Sequence, residues 1–129
     1  MNPQHPELAA GRWQSFTLVE QLANVGSEVA RALGWASKGN AQYSRMAVER
    51  GLEFLDLTIA DPRHRRRLKE LTRVREVLGD YFFGENQFGS TEGNWRSYFG
   101  AYGMAAALKK EPVGFQSPAP LPSPSARVS

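Results

Sequence analysis

The chain contains no cysteine, which removes disulfides, thiolate metal sites and cysteine nucleophiles together. Histidine is almost as scarce, with only His5 and His64. Neither belongs to an H-E-x-x-H or Glu-x-x-His pair, so zinc and di-iron sites of those designs lack their imidazoles. No apolar run approaches the roughly 20 residues that span a bilayer. The opening Met1-Asn2-Pro3-Gln4-His5-Pro6-Glu7 has neither the basic start nor the apolar stretch of a secretory signal. Gly34, Gly39, Gly84 and Gly89 form no G-x-x-x-x-G-K-[ST] loop, and no G-x-S-x-G elbow is present. The expectation is a cytoplasmic chain that does not enter a membrane, is not an enzyme, and has no catalytic residues, metal or cofactor.

What is present is helical periodicity. The 129 residues suit one domain. Thr17-Leu18-Val19-Glu20 has the spacing of a capping box, in which the hydroxyl meets an orphan N–H and the carboxylate reaches back. Leu18, Leu22, Val25, Val29, Leu33 and Ala36 then recur at steps of three and four, one apolar face held for about five turns. Lys38, Gly39 and Asn40 close this helix and cap the next almost without a loop, which predicts a hairpin. The second helix places Val48, Gly51, Leu52, Leu55 and Ile59 on one side, widened by Tyr43, Ala47 and Phe54. Glu49, Glu53 and Asp56 lie opposite as a solvated stripe, with Arg45 spaced to pair with Glu49.

Asp61-Pro62 marks a third start, a carboxylate cap followed by a residue that needs no N–H. Leu68, Leu71, Val74, Leu78 and Tyr81 or Phe82 carry the third apolar face to Phe83-Gly84, and Ser90 or Thr91 caps a fourth helix with an edge of Trp95, Phe99, Tyr102 and Ala106. Gly100 and Gly103 inside that helix cost about 1 kcal/mol each relative to Ala; close packing against a neighbour is the expected compensation. From Pro112 the composition turns to Pro, Ser, Ala and Gly, a disordered tail. The predicted fold is all-α: an arm over 1–14, an antiparallel up-down-up-down four-helix bundle over 15–110, and a tail over 111–129.

Charge is polarised. Arg63, Arg65, Arg66, Arg67, Lys69, Arg73 and Arg75 oppose a single acid, Glu70, so this stretch holds +6 of a chain whose net charge is +3. Cations in a first turn oppose the helix dipole, so the cluster does not serve its own helix. Arg63, Arg66, Lys69 and Arg73 recur at helical spacing, which suits several phosphates at once. Three readings stay open: RNA or DNA, an acidic protein surface, or a solvated face neutralised by the acids of the second helix, with Arg75 bridging the seam. The Arg-x4–6-His signature of helical HEPN ribonucleases is missing, because Leu57, Thr58 and Ile59 occupy the positions upstream of His64. The aromatics of the fourth helix, with Phe82, Phe83 and Phe88, predict a homo-oligomer.

Gln21-Leu22-Ala23-Asn24-Val25-Gly26-Ser27-Glu28-Val29, Lys38-Gly39-Asn40, Leu55-Asp56-Leu57-Thr58-Ile59-Ala60-Asp61-Pro62 and Arg73-Val74-Arg75-Glu76 together resemble a group of small bacterial and archaeal helical proteins with no assigned activity. The helix arrangement resembles, more distantly, the ribosomal-RNA intervening-sequence four-helix proteins and the accessory variability proteins of diversity-generating retroelements. That resemblance implies a basic, oligomeric bundle, and for the retroelement members contact with nucleic acid and a reverse transcriptase. It is architectural and transfers no site residue. Lys38-Gly39-Asn40, Tyr43, Ala47 and Asp61-Pro62 also resemble one tetratricopeptide unit, but the hairpin is about a turn too long and no period of 34 recurs.

Overall fold

A computed structural model describes residues 11–108. Four α-helices pack together: α1 (Leu18–Ser37), α2 (Ala41–Ala60), α3 (Leu68–Phe83) and α4 (Glu92–Ala107). Two 3-10 turns, Arg12–Ser15 and Pro62–Arg67, precede α1 and α3.

The helix ends follow the capping chemistry. The Thr17 hydroxyl accepts from the Glu20 N–H while the Glu20 carboxylate accepts from the Thr17 N–H, so two orphan donors are satisfied reciprocally. Gly39 takes φ 79°, a left-handed angle open to glycine at little cost, and the Asn40 side chain accepts from Tyr43 N–H. Of the two candidate caps for α4, Thr91 is used, in a second reciprocal box with Asn94. Asp80 organises the loop before it by accepting from the N–H groups of Gln87 and Phe88.

α1 packs along both α2 and α4, and α2 packs against α3. The α1–α2 cross-links run in opposite sequence order: Ser44 Oγ donates to Ala32 O, Arg50 pairs with Glu28, and Gln21 Nε2 donates to Asp61. Leu22, Val25, Val29, Leu55, Leu71, Leu78 and Trp95 are wholly buried, in line with the three-and-four spacing, but Leu68, expected to open the α3 face, is exposed, and Val77, outside the expected set, is buried. Ala36, expected on the α1 face, is exposed, because that face ends with Leu33. Tyr43 is exposed as well, packing edge-on to Trp35. Where α3 faces α4 the gap is spanned by long side chains, with Tyr98 and Tyr102 reaching Glu70 and Tyr81 meeting Trp95 edge-on.

Three expectations are corrected. First, the expected boundary at residue 14 falls within the packed body: Trp13 is 2 % exposed and stacks on Phe54 at 4.9 Å. Residues 1–10 and the whole of the predicted tail lie outside the described residues. Second, Asp61 does cap a start, accepting from Arg63 N–H, but Pro62–Arg67 winds as a 3-10 turn broken at His64 (φ −104°, ψ 23°), and α3 begins only at Leu68. His64 is drawn inward, its Nε2 2.9 Å from Gln21 Oε1, and a helix running straight from Asp61 would have to give up that contact. Third, among the described residues Gly100 and Gly103 have no atom of another side chain or segment within 4 Å of where a Cβ would stand. The close approach lies at Gly26, where a Cβ would fall 2.7 Å from Phe99 Cβ.

Candidate nucleic-acid interface

The basic stretch begins on a buried polar network. Asp61 is 3 % exposed; its carboxylate receives the Arg63 backbone N–H, the Arg63 guanidinium at 2.6 Å, and Gln21 Nε2 at 3.2 Å. The Arg63 guanidinium, above all, holds the Asp61 carboxyl well below the usual carboxylate range, outweighing the opposing effect of burial. Gln21 Nε2 also donates to Trp13 O, and Arg63 Nη2 donates to Phe16 O at 2.8 Å. The junction of α2 and α3 is thereby tied to the segment before α1. Arg63 is committed to this tie.

A second network occupies Arg67. Its Nε donates to Glu70 Oε1 at 2.8 Å and its Nη2 to the Tyr102 hydroxyl at 2.7 Å, while the Tyr98 hydroxyl donates to Glu70 Oε2 at 2.5 Å. Burial works to lower the Arg67 pKa, yet Tyr102 and Glu70 outweigh it and the net shift is upward. Tyr98 is pushed far up, first by burial and then by Tyr102 and Glu70, so it stays protonated as a donor. The group bridges α3 to α4.

Arg75 bonds Asp56 through Nε and Nη2, which raises its pKa and matches the expected bridge at the α2–α3 seam. Arg73 lies over the Phe88 ring at 5.2 Å. Neutralisation by the acids of α2 is thus seen at Arg75; Arg63 and Arg67 find nearer acids, Asp61 and Glu70. Arg45 makes no ion pair with Glu49 among the described residues and instead covers Phe83 at 5.4 Å.

Arg65, Arg66 and Lys69 remain. All three are exposed, and none of their side chains makes a hydrogen bond or ion pair among the described residues. They sit at the end of the 3-10 turn and the start of α3, around the half-exposed Leu68. The seven residues singled out by charge therefore divide by the chemistry of their neighbours. Charge alone did not reveal Gln21 and Trp13 as the floor of the site. Gln21 could have been noticed as a polar residue beside Leu22 at the edge of the α1 apolar face.

An open groove of about 910 Å³, lined by none of the basic stretch, is bordered by Ser37, Ser44, Arg45, Phe82 and Phe83 among others. Among the described residues there is no group of three or more His, Asp or Glu placed to hold a metal ion, and no helix is long and apolar enough to cross a membrane. No protein-family model, curated protein or solved structure matches the chain.

Proposed function

We propose that this chain is a non-enzymatic accessory module of the cytoplasm, an antiparallel up-down-up-down bundle that meets RNA or DNA phosphates through Arg65, Arg66 and Lys69. The opposed sequence order of the α1–α2 cross-links supports the up-down arrangement. The observation that carries the functional reading is the division within the basic stretch: Arg63, Arg67 and Arg75 have carboxylate partners in the chain, whereas the exposed side chains of Arg65, Arg66 and Lys69 have none among the described residues. An exposed cation without an internal partner gives up little when it binds an anion, and each phosphate it neutralises releases counterions.

A second reading follows from Leu68, an apolar side chain 39 % exposed among the three cations. Phosphates offer it nothing, while an acidic protein surface with an apolar spot would cover it. Fluorescence anisotropy separates the two. At low salt the full chain is expected to bind a short generic duplex and a single-stranded RNA, and Arg65→Gln/Arg66→Gln/Lys69→Gln to bind each about tenfold more weakly or worse. Leu68→Ser is expected to change neither. No binding of the unmodified chain to either nucleic acid would overturn the first reading in favour of the second.

A further inference from the structure

Beyond Arg96 the fourth helix carries no charged side chain. Its inward side is Trp95, Tyr98, Phe99, Tyr102 and Ala105, so the aromatics of this helix that suggested association from the sequence are spent on the chain's own core, while Phe83 of α3 stays exposed. Its exposed positions include Gly93, Ser97, Gly100, Gly103, Met104 and Ala107, with charge confined to Glu92 and Arg96 near the N-terminal end. A helix facing water normally presents a polar stripe there, and one without it is covered by something.

The glycines sharpen the point. Gly100 and Gly103 each cost about 1 kcal/mol in a helix, and no other side chain or segment among the described residues approaches the space their side chains would fill. At Gly26, by contrast, Phe99 uses that space. Beside Gly100 and Gly103, α1 presents Ala23, Ser27 and Ala30, and the two helices border a shallow groove of about 240 Å³. Trp95 also lines it, fully buried, with an indole N–H that has no acceptor among the described residues. Met104, one turn beyond Gly100, stands 71 % exposed.

We infer that the α1–α4 face is the docking surface for a second copy of this chain, the small-residue groove of one copy receiving Met104 of the other. A face that carries both a groove and a knob is self-complementary, as a two-fold contact requires. Its charge points the same way. Copies of a chain with net charge +3 repel at their basic ends, but the groove is lined by one charged residue among the described residues, Arg96, and Glu92 pairs with it at 2.7 Å. With that charge balanced, the lining suits a rotated copy of itself better than an acidic or a basic partner.

Sedimentation velocity on the full chain from low to high micromolar concentration is expected to show a monomer–dimer equilibrium. Gly100→Gln/Gly103→Gln, which adds helix formers where the single chain has room, should keep the far-ultraviolet spectrum and weaken the dimer about tenfold or more. A strict monomer throughout, or a dimer indifferent to the double change, overturns the inference. A photo-cross-linking amino acid at Met104 gives a second readout that leaves the glycines intact. Capture of a second chain at residues of α1 and α4 is expected. Capture confined to the same chain, for instance at residues 109–129, would show that the face is covered from within and would overturn the inference equally.

Discussion

The indole N–H of Trp13 donates to the Thr58 hydroxyl at 3.2 Å, across 45 residues of chain. Thr58 in turn donates to Phe54 O one turn back, and the Trp13 ring stacks on Phe54. The short turn before α1 is therefore part of the wall on which the basic stretch stands. Trp13→Ala is expected to destabilise the chain by about 3–5 kcal/mol, as large-to-small changes at buried aromatics do, and Trp13→Phe by less because the stack survives. Urea denaturation measures both. A cost for Trp13→Ala below about 1 kcal/mol would mean that the turn only rests on the surface.

Asp61 makes stability depend on pH with a definite sign. Its folded pKa lies below its ordinary value of 3.8, so between the two values the unfolded chain binds more protons than the folded one, and stability rises with pH. The contribution is full above the unfolded value and disappears as pH falls through the folded one. The urea midpoint of the unmodified chain should therefore fall from about pH 5 downward, and Asp61→Asn should remove part of that slope while lowering the midpoint near neutrality. Equal slopes in the two proteins would show that Asp61 is not a source of the acid sensitivity.

Two glycines in helix interiors predict opposite outcomes for one substitution. Gly26→Ala drives a methyl into Phe99, an overpacking that costs about 1–3 kcal/mol before the gain in helix propensity is set against it. Gly79 has no atom of another side chain or segment among the described residues within 4 Å of its Cβ position, so Gly79→Ala should stabilise by about 0.5–1 kcal/mol. Thermal melts of the two variants should move to either side of the unmodified chain. Shifts in the same direction would contradict the placement of α4 against α1.

The elements were legible because their ends are local chemistry. Thr17 with Glu20, Gly39 with Asn40, and Asp61 with Pro62 each act over a few residues, and the apolar steps from Leu22 to Leu33 need no knowledge of the partner helix. The later start of α3 was hidden because His64 is turned inward by Gln21, 43 residues away. Trp13 read as part of an arm for the same reason, since its stack on Phe54 is a long-range contact. The basic site was visible as a charge excess, whereas its division depends on which acids stand close by. Glu70 could have been matched to Arg67 by spacing, but the hydroxyls of Tyr98 and Tyr102 that complete that network come from another helix.

The most direct test of the account is the dependence of nucleic-acid affinity on salt. For a duplex, the slope of log K against log salt should be negative and should flatten by about 0.9 for each cation that meets a phosphate. Arg65→Gln/Arg66→Gln/Lys69→Gln should therefore flatten it by up to about 2.7 while the urea midpoint stays nearly unchanged. A slope unaltered by this triple change, or a loss of binding that only tracks a loss of folded protein, would contradict the assignment of these three cations as the contact surface.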